Sequence, residues 1–176
     1  PSAEPTMTEA PASSAEPEES GPVESADPEE STAVDENSSA DAELKDVIVI
    51  LHTNDVHGGI EGYAKLAALK AEYEAKGAVV LLMDAGDFSQ GETSVSVSEG
   101  TTAIELMNLV GYDVAAPGNH EFDYGYANLK ELEKAADFPI LAANIKYEGK
   151  TAFGDHIVLT AGEKKIGVFG LDTPET

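Results

Sequence analysis

Three short segments of this 176-residue chain set cation-binding side chains beside glycines. The first is His52-Thr53-Asn54-Asp55-Val56-His57-Gly58-Gly59. Asp55 and His57 are two positions apart, so in an extended segment they point to the same side. A carboxylate oxygen and an imidazole nitrogen together suit a borderline-hard divalent metal. The two glycines allow the tight turn and close approach that a crowded metal site needs. The second segment is Met83-Asp84-Ala85-Gly86-Asp87-Phe88-Ser89-Gln90-Gly91. Asp87 follows a glycine, where the backbone can turn a carboxylate inward, and one carboxylate can bridge two cations. Asp84 has the plainer reading of a turn residue bonded to neighbouring amides.

The third segment is Pro117-Gly118-Asn119-His120-Glu121-Phe122-Asp123-Tyr124-Gly125. Asn119 offers a metal a neutral carbonyl oxygen. In a helical turn, His120 and Asp123 face one side. Asp123 would then hold the His120 imidazole in one tautomer and favour its charged form. That arrangement suits a group beside a leaving group or a transferring phosphoryl. Taken singly, each segment also reads as a solvated turn, with Asp55 capping a helix or His120 present by chance. The joint occurrence carries the metal reading, provided the fold brings the three together.

The flanking sequence predicts that it does. Residues 47–51 form a continuous run of large aliphatic residues, as expected of a strand buried on both faces, and 79–83 form another. Residues 63–76 carry Leu66, Leu69 and Tyr73 at helical spacing and close on Gly77. Residues 101–110 place Ala103, Met107 and Val110 on one helical face, ending at Gly111. A short strand over 113–116, a helix over 125–136 bearing Leu129, Leu132 and Ala136, and a strand over 139–143 follow. Residues 156–160 and 165–171 flank a hairpin turn at 161–164. Strands alternating with helices predict an α/β unit with a mostly parallel sheet flanked by helices. Ligands of such sheets sit beyond the carboxyl ends of the strands, where all three segments fall.

Charge and composition bound the partners. The formal charge is −24, and all ten basic residues are lysines. Phosphate backbones are bound by clustered Lys and Arg, so a nucleic-acid polymer is excluded as a partner. With no cysteine there is neither a disulfide framework nor a thiolate metal site. No apolar run reaches the roughly 18 residues of a membrane helix. Residues 1–46 hold 14 of the 34 acids and one lysine, among many Pro, Ser and Ala residues. That stretch is expected to be a disordered acidic linker, serving as a tether that anchors a domain away from a cell surface. Residues 47–176 form the folded domain.

The segments Leu51–Gly58, Gly86–Gly91 and Gly118–Asp123 resemble the first three blocks of the calcineurin-like metallophosphoesterases. The wording His-Thr-Asn-Asp and Asn-His-Glu-Phe-Asp resembles the secreted bacterial branch of 5′-nucleotidases, 2′,3′-cyclic-nucleotide phosphodiesterases and UDP-sugar hydrolases. The likeness runs from about residue 47 to 173 and includes Asn144 and the strand at 167–171. It implies the N-terminal portion of an α/β/β/α sandwich and two divalent metal ions (Zn, Mn, Fe or Co). Asp55 and His57 would bind the first metal, Asp87 would bridge both, and Asn119 would bind the second. His120, oriented by Asp123, would be the catalytic acid or transition-state stabiliser while activated water attacks phosphorus in line. The implied substrate is an extracellular nucleotide or related phosphoester, hydrolysed at the cell surface or outside the cell.

One departure qualifies this. The family completes its metal shell with downstream histidines, usually a Gly-His-x-His block, and the remaining histidines here, His52 and His156, do not fit that pattern. His52 reads as a packed residue at a strand end and His156 as structural. The family's base-stacking C-terminal domain is also missing, so the chain is expected to be part of a longer protein and inactive alone. The alternatives are another branch, such as a general phosphodiesterase or a thiosulfohydrolase relative, or a non-catalytic metal-binding surface protein.

Overall fold

The two aliphatic runs pair with each other at the centre of the fold. In the computed structural model, which describes residues 43–174, β1 (Ile48–Thr53) lies parallel to β2 (Val79–Asp84). The register runs from Ile48 opposite Val79 to Thr53 opposite Asp84. β3 (Val114–Ala115) adds to the other side of β2, giving the order β1-β2-β3. Parallel neighbours need crossovers. These are supplied by α1 (Glu61–Ala75) and by α2 (Thr93–Ser96) with α3 (Thr101–Val110); α4 (Gly125–Ala135) follows β3. The α/β architecture with a parallel sheet flanked by helices is therefore the one expected.

Burial explains why the helices dock where they do. Leu82 of β2, Ile104 and Met107 of α3, and Leu129 and Leu132 of α4 are essentially inaccessible and join Phe88 and Ile140 in one cluster. α1 is also tied to α3 by a cation: Lys70 Nζ donates to the Gly111 carbonyl at 2.5 Å, at the C-terminal end of α3 where carbonyls lack partners.

Three expectations need correction. Residues 139–143 form no strand ladder, because their pairing passes from one neighbour to the next. Ile140 makes a single parallel bridge to Ala115, and Leu141 makes one to Gly154. α2 was not expected, since one turn is too short to show a period. Burial of β1 on both faces fails as well. β1 is an edge strand with Ile50 54% exposed, and His52 is exposed rather than packed.

The remaining elements are hairpins: β4 (Lys146–Tyr147) with β5 (Lys150–Thr151), and β6 (His156–Ala161) with β7 (Lys164–Phe169). The second closes through the two-residue loop Gly162-Glu163, as its sequence predicts. Its turn lines a cleft with Ile48 and Val79, and the residue after β7, Gly170, accepts a hydrogen bond from Ala143 N–H. His52, Met83, Val168, Phe169 and Leu171 line a cleft of about 320 Å³, and Phe169 and Leu171 are 66% and 60% exposed. His156 starts β6, exposed, with Nδ1 2.8 Å from Asp155 Oδ1.

Residues 1–42 of the acidic stretch lie outside the described residues. Residues 43–46 lead into β1, and Leu44 N–H donates to the Lys76 carbonyl. No described helix is long and apolar enough to cross a membrane.

Buried and exposed apolar side chains should respond differently to substitution. Leu82→Ala is expected to cost about 2–5 kcal/mol in urea unfolding, and Phe169→Ser no more than about 0.5 kcal/mol. Comparable costs would contradict the exposed placement of Phe169.

Candidate metal centre

The parallel register carries β1 and β2 to the same level, and their pairing continues past the strand ends. Ala85 N–H donates to the Thr53 carbonyl, Asp55 N–H to Gly86 and His57 N–H to Asp87, at 2.9–3.0 Å. The chain beyond β3 joins through Ala116 N–H, which donates to the Asp84 carbonyl at 2.9 Å. Asp87 Oδ1 accepts from His120 N–H at 3.0 Å. The three segments thus form one hydrogen-bonded platform.

The platform is tight. Gly86 has φ +105, and a Cβ there would overlap the backbone of Pro117 and Gly118. A Cβ on Gly118 would overlap the Asp87 carboxylate. These two glycines let the turns approach each other.

On this platform the ligand atoms of His57, Asp87 and His120 all lie within 4.8 Å of one another. The two imidazoles meet edge to face, with centroids 5.1 Å apart. Asp55 flanks the group, its Oδ1 3.6 Å from His57 Nε2, and its other oxygen accepts from the Asn54 amide. Asn119 starts the 3₁₀ turn Asn119–Phe122 and is exposed beside His120. His57 and Asp87, with Asp55 beside them, offer the imidazole and carboxylate donors that fit a divalent metal, and the His120 ring stands within reach of the same point.

Backbone strain marks the same residues. Six non-glycine residues among those described have positive φ, and three of them are Asp55 (54°), His57 (45°) and Asp87 (60°). The left-handed conformation costs a non-glycine residue roughly 1–2 kcal/mol. Such cost persists where the surroundings over-determine it, and it clusters at functional sites.

His120 Nδ1 lies 2.8 Å from Asp123 Oδ2, as the i,i+3 spacing predicts. That hydrogen bond raises the His120 pKa above its ordinary value; desolvation opposes the rise, and the charges of Asp123, Asp87 and Glu121 add to it. With Asp123 ionised, Nδ1 carries the proton and Nε2 is left as the second nitrogen.

Two buried acids lie behind the platform. Asp84 accepts from Thr53 Oγ1 at 2.5 Å and from Gly86 N–H at 2.8 Å, and Thr53 Oγ1 is 2.8 Å from the Tyr112 hydroxyl. This is the turn role its position predicts. Burial pushes its pKa up to about 7, against the pull of its two hydrogen bonds. The second acid, Glu121, has no role in the sequence reading. It is 0% exposed and accepts hydrogen bonds from the amides of Asp87, Phe88, Ser89 and Gly118. Burial raises its pKa, and these donors oppose the rise. Its position inside the Gly-Asn-His-Glu block was visible in the sequence, but the turn it faces was not.

Comparisons with known proteins show which family shares this sequence and fold. Residues 48–175 match the family described as calcineurin-like phosphoesterase. The chain is 39% identical over 152 residues to a snake venom 5′-nucleotidase of Gloydius brevicauda, covering 73% of this chain and 26% of that protein. It is also 39% identical over 142 residues to Protein UshA of Escherichia coli, with the same coverage. Among solved structures, a 5′-nucleotidase precursor of Thermus thermophilus superimposes with a TM-score of 0.66 at 31% identity, covering 72% of this chain and 28% of that one. The chain therefore spans about a quarter of the length of these relatives.

Asp84 gives the site a measurable pH signature. A carboxyl whose folded pKa is raised disfavours the folded state as it ionises. Asp84 should therefore cost nothing below pH 3.8, with the penalty growing until about pH 7. Asp84→Asn mimics the neutral acid. In EDTA it should match the parent's melting temperature near pH 4 and exceed it above pH 7. A variant less stable than the parent at pH 8 would contradict the raised pKa.

Proposed function

The chain belongs to the calcineurin-like phosphoesterase family, and from that premise we propose that it forms part of the catalytic domain of a dinuclear hydrolase of extracellular nucleotides. The reaction is hydrolysis of a 5′-phosphomonoester, a 2′,3′-cyclic phosphodiester, or both. The observation that carries this reading is the convergence of His57, Asp87 and His120 at the sheet's carboxyl edge, with His120 already held by Asp123. A site that served only to hold a metal would have no need of an oriented, proton-carrying imidazole.

Asp55 and His57 would hold one cation, Asp87 would be shared, and Asn119 would offer its side-chain oxygen to the second. Two such cations would supply an activated water and neutralise phosphoryl oxygens. Asp123 fixes the His120 ring, and His120 Nε2 donates a proton or hydrogen bond to the leaving oxygen or the transferring phosphoryl group. The identity of the metal is left open by these ligands, since O and N donors accept Zn²⁺, Mn²⁺, Fe²⁺ and Co²⁺. The nucleotide substrate is supported by the relatives named as 5′-nucleotidases, and action outside the cell by the venom enzyme among them. The acidic stretch 1–46 serves as the tether to a cell surface.

Two variants of the complete polypeptide separate the roles. Asp87→Asn should lower metal content and AMP hydrolysis together. His120→Ala should keep its metals and lose roughly 10²–10⁴ in rate. Unchanged turnover in the first would sink the bridging role. Loss of metal in the second would make His120 a ligand instead of the acid.

A further inference from the structure

The mechanism above leaves unused the most deeply buried charge near the site. Glu121 Oε2 accepts from Asp87 N–H at 2.7 Å and from Gly118 N–H at 2.6 Å. Its Oε1 accepts from Phe88 N–H and Ser89 N–H, both at 2.9 Å. Four donors saturate an ionised carboxylate, which accepts at about four lone-pair sites. None of the ion pairs found among the described residues includes Glu121. The buried carboxylate is compensated by backbone amides.

Three of those amides are consecutive. For the N–H groups of residues 87, 88 and 89 to converge on one carboxylate, the chain must curl into a concave turn that binds an anion. It does so through the positive φ of Gly86 (105°) and Asp87 (60°). The fourth amide, that of Gly118, belongs to the segment that bears Asn119 and His120. The same carboxylate therefore bends one segment and fastens it to the next.

We propose that Glu121 is a positioning residue of the metal centre, an internal anion that holds Asp87 in its left-handed conformation and fixes the 86–89 turn against the 118–121 turn. This rests on the phosphoesterase reading of the site. Held this way, the Asp87 carboxylate accepts the His120 amide at Oδ1 and stands within reach of both imidazoles. The role requires an acceptor at each of the two carboxylate oxygens. A glutamine would turn an NH₂ group toward two N–H donors, and an aspartate would fall one methylene short of spanning the two turns.

The test uses the complete polypeptide with Glu121→Gln, Glu121→Asp and, as a reference, Asp87→Asn. Mn²⁺ affinity, the exchange-coupled Mn²⁺ paramagnetic resonance signal and AMP turnover are measured beside melting in EDTA. Glu121→Gln should weaken Mn²⁺ binding roughly 10- to 100-fold, the usual scale for groups that orient ligands. It should also lose the coupled signal and lower kcat while still melting cooperatively, with Glu121→Asp intermediate. If Asp87→Asn loses metal and rate but Glu121→Gln keeps parental affinity and coupling, the metal centre stands and the role of Glu121 is overturned. If Asp87→Asn itself keeps both, the reading of the metal centre fails. If neither Glu121 variant melts cooperatively, Glu121 holds the whole domain together, and the narrower role proposed here is wrong.

Discussion

The carboxyl edge of the sheet depends on the turn at Gly86-Asp87. This turn must carry a carboxylate into the space shared by two other segments, and ordinary backbone conformations do not take it there. The chain uses positive φ at both residues and leaves no room for a Cβ on Gly86 or Gly118. Hydrogen bonds from the first segment and the Glu121 carboxylate from the third close around it. The strain at Asp55 and His57 belongs to the same construction, since both donate backbone hydrogen bonds to carbonyls of this turn.

Most of what positions the site was legible in the sequence, because it follows from periodicity. Val79–Asp84 announces a strand through its continuous apolar run, and Thr101–Val110 a helix through the spacing of its apolar residues. The pairing of His120 with Asp123 follows from spacing as well, since three residues make one turn. Less legible was whatever depends on a neighbour distant in the chain. Ile50 and His52 read as buried by composition, yet strand position decides burial, and β1 lies at the edge. The run at 139–143 has strand composition, but its hydrogen bonds go to successive partners, so no ladder forms.

Glu121 shows the same limit at the site itself. Its neighbours in sequence, Asn119 and His120, carry recognisable metal and acid chemistry, and a carboxylate beside them reads as one more polar residue. Its partners lie 32–34 positions earlier, apart from Gly118, and only the folded turn makes them donors. Asp84 was easier to read, because one of its partners, Gly86, is two residues away.

The proposed function requires one centre for two cations, built by three strand ends around Asp87. Anomalous diffraction at the manganese edge, from crystals of the complete polypeptide soaked in Mn²⁺, tests this most directly. Two peaks about 3.5–4 Å apart are predicted, with the Asp87 carboxylate between them and His57 on one side. A single peak, or peaks with Asp87 turned away from them, would contradict it.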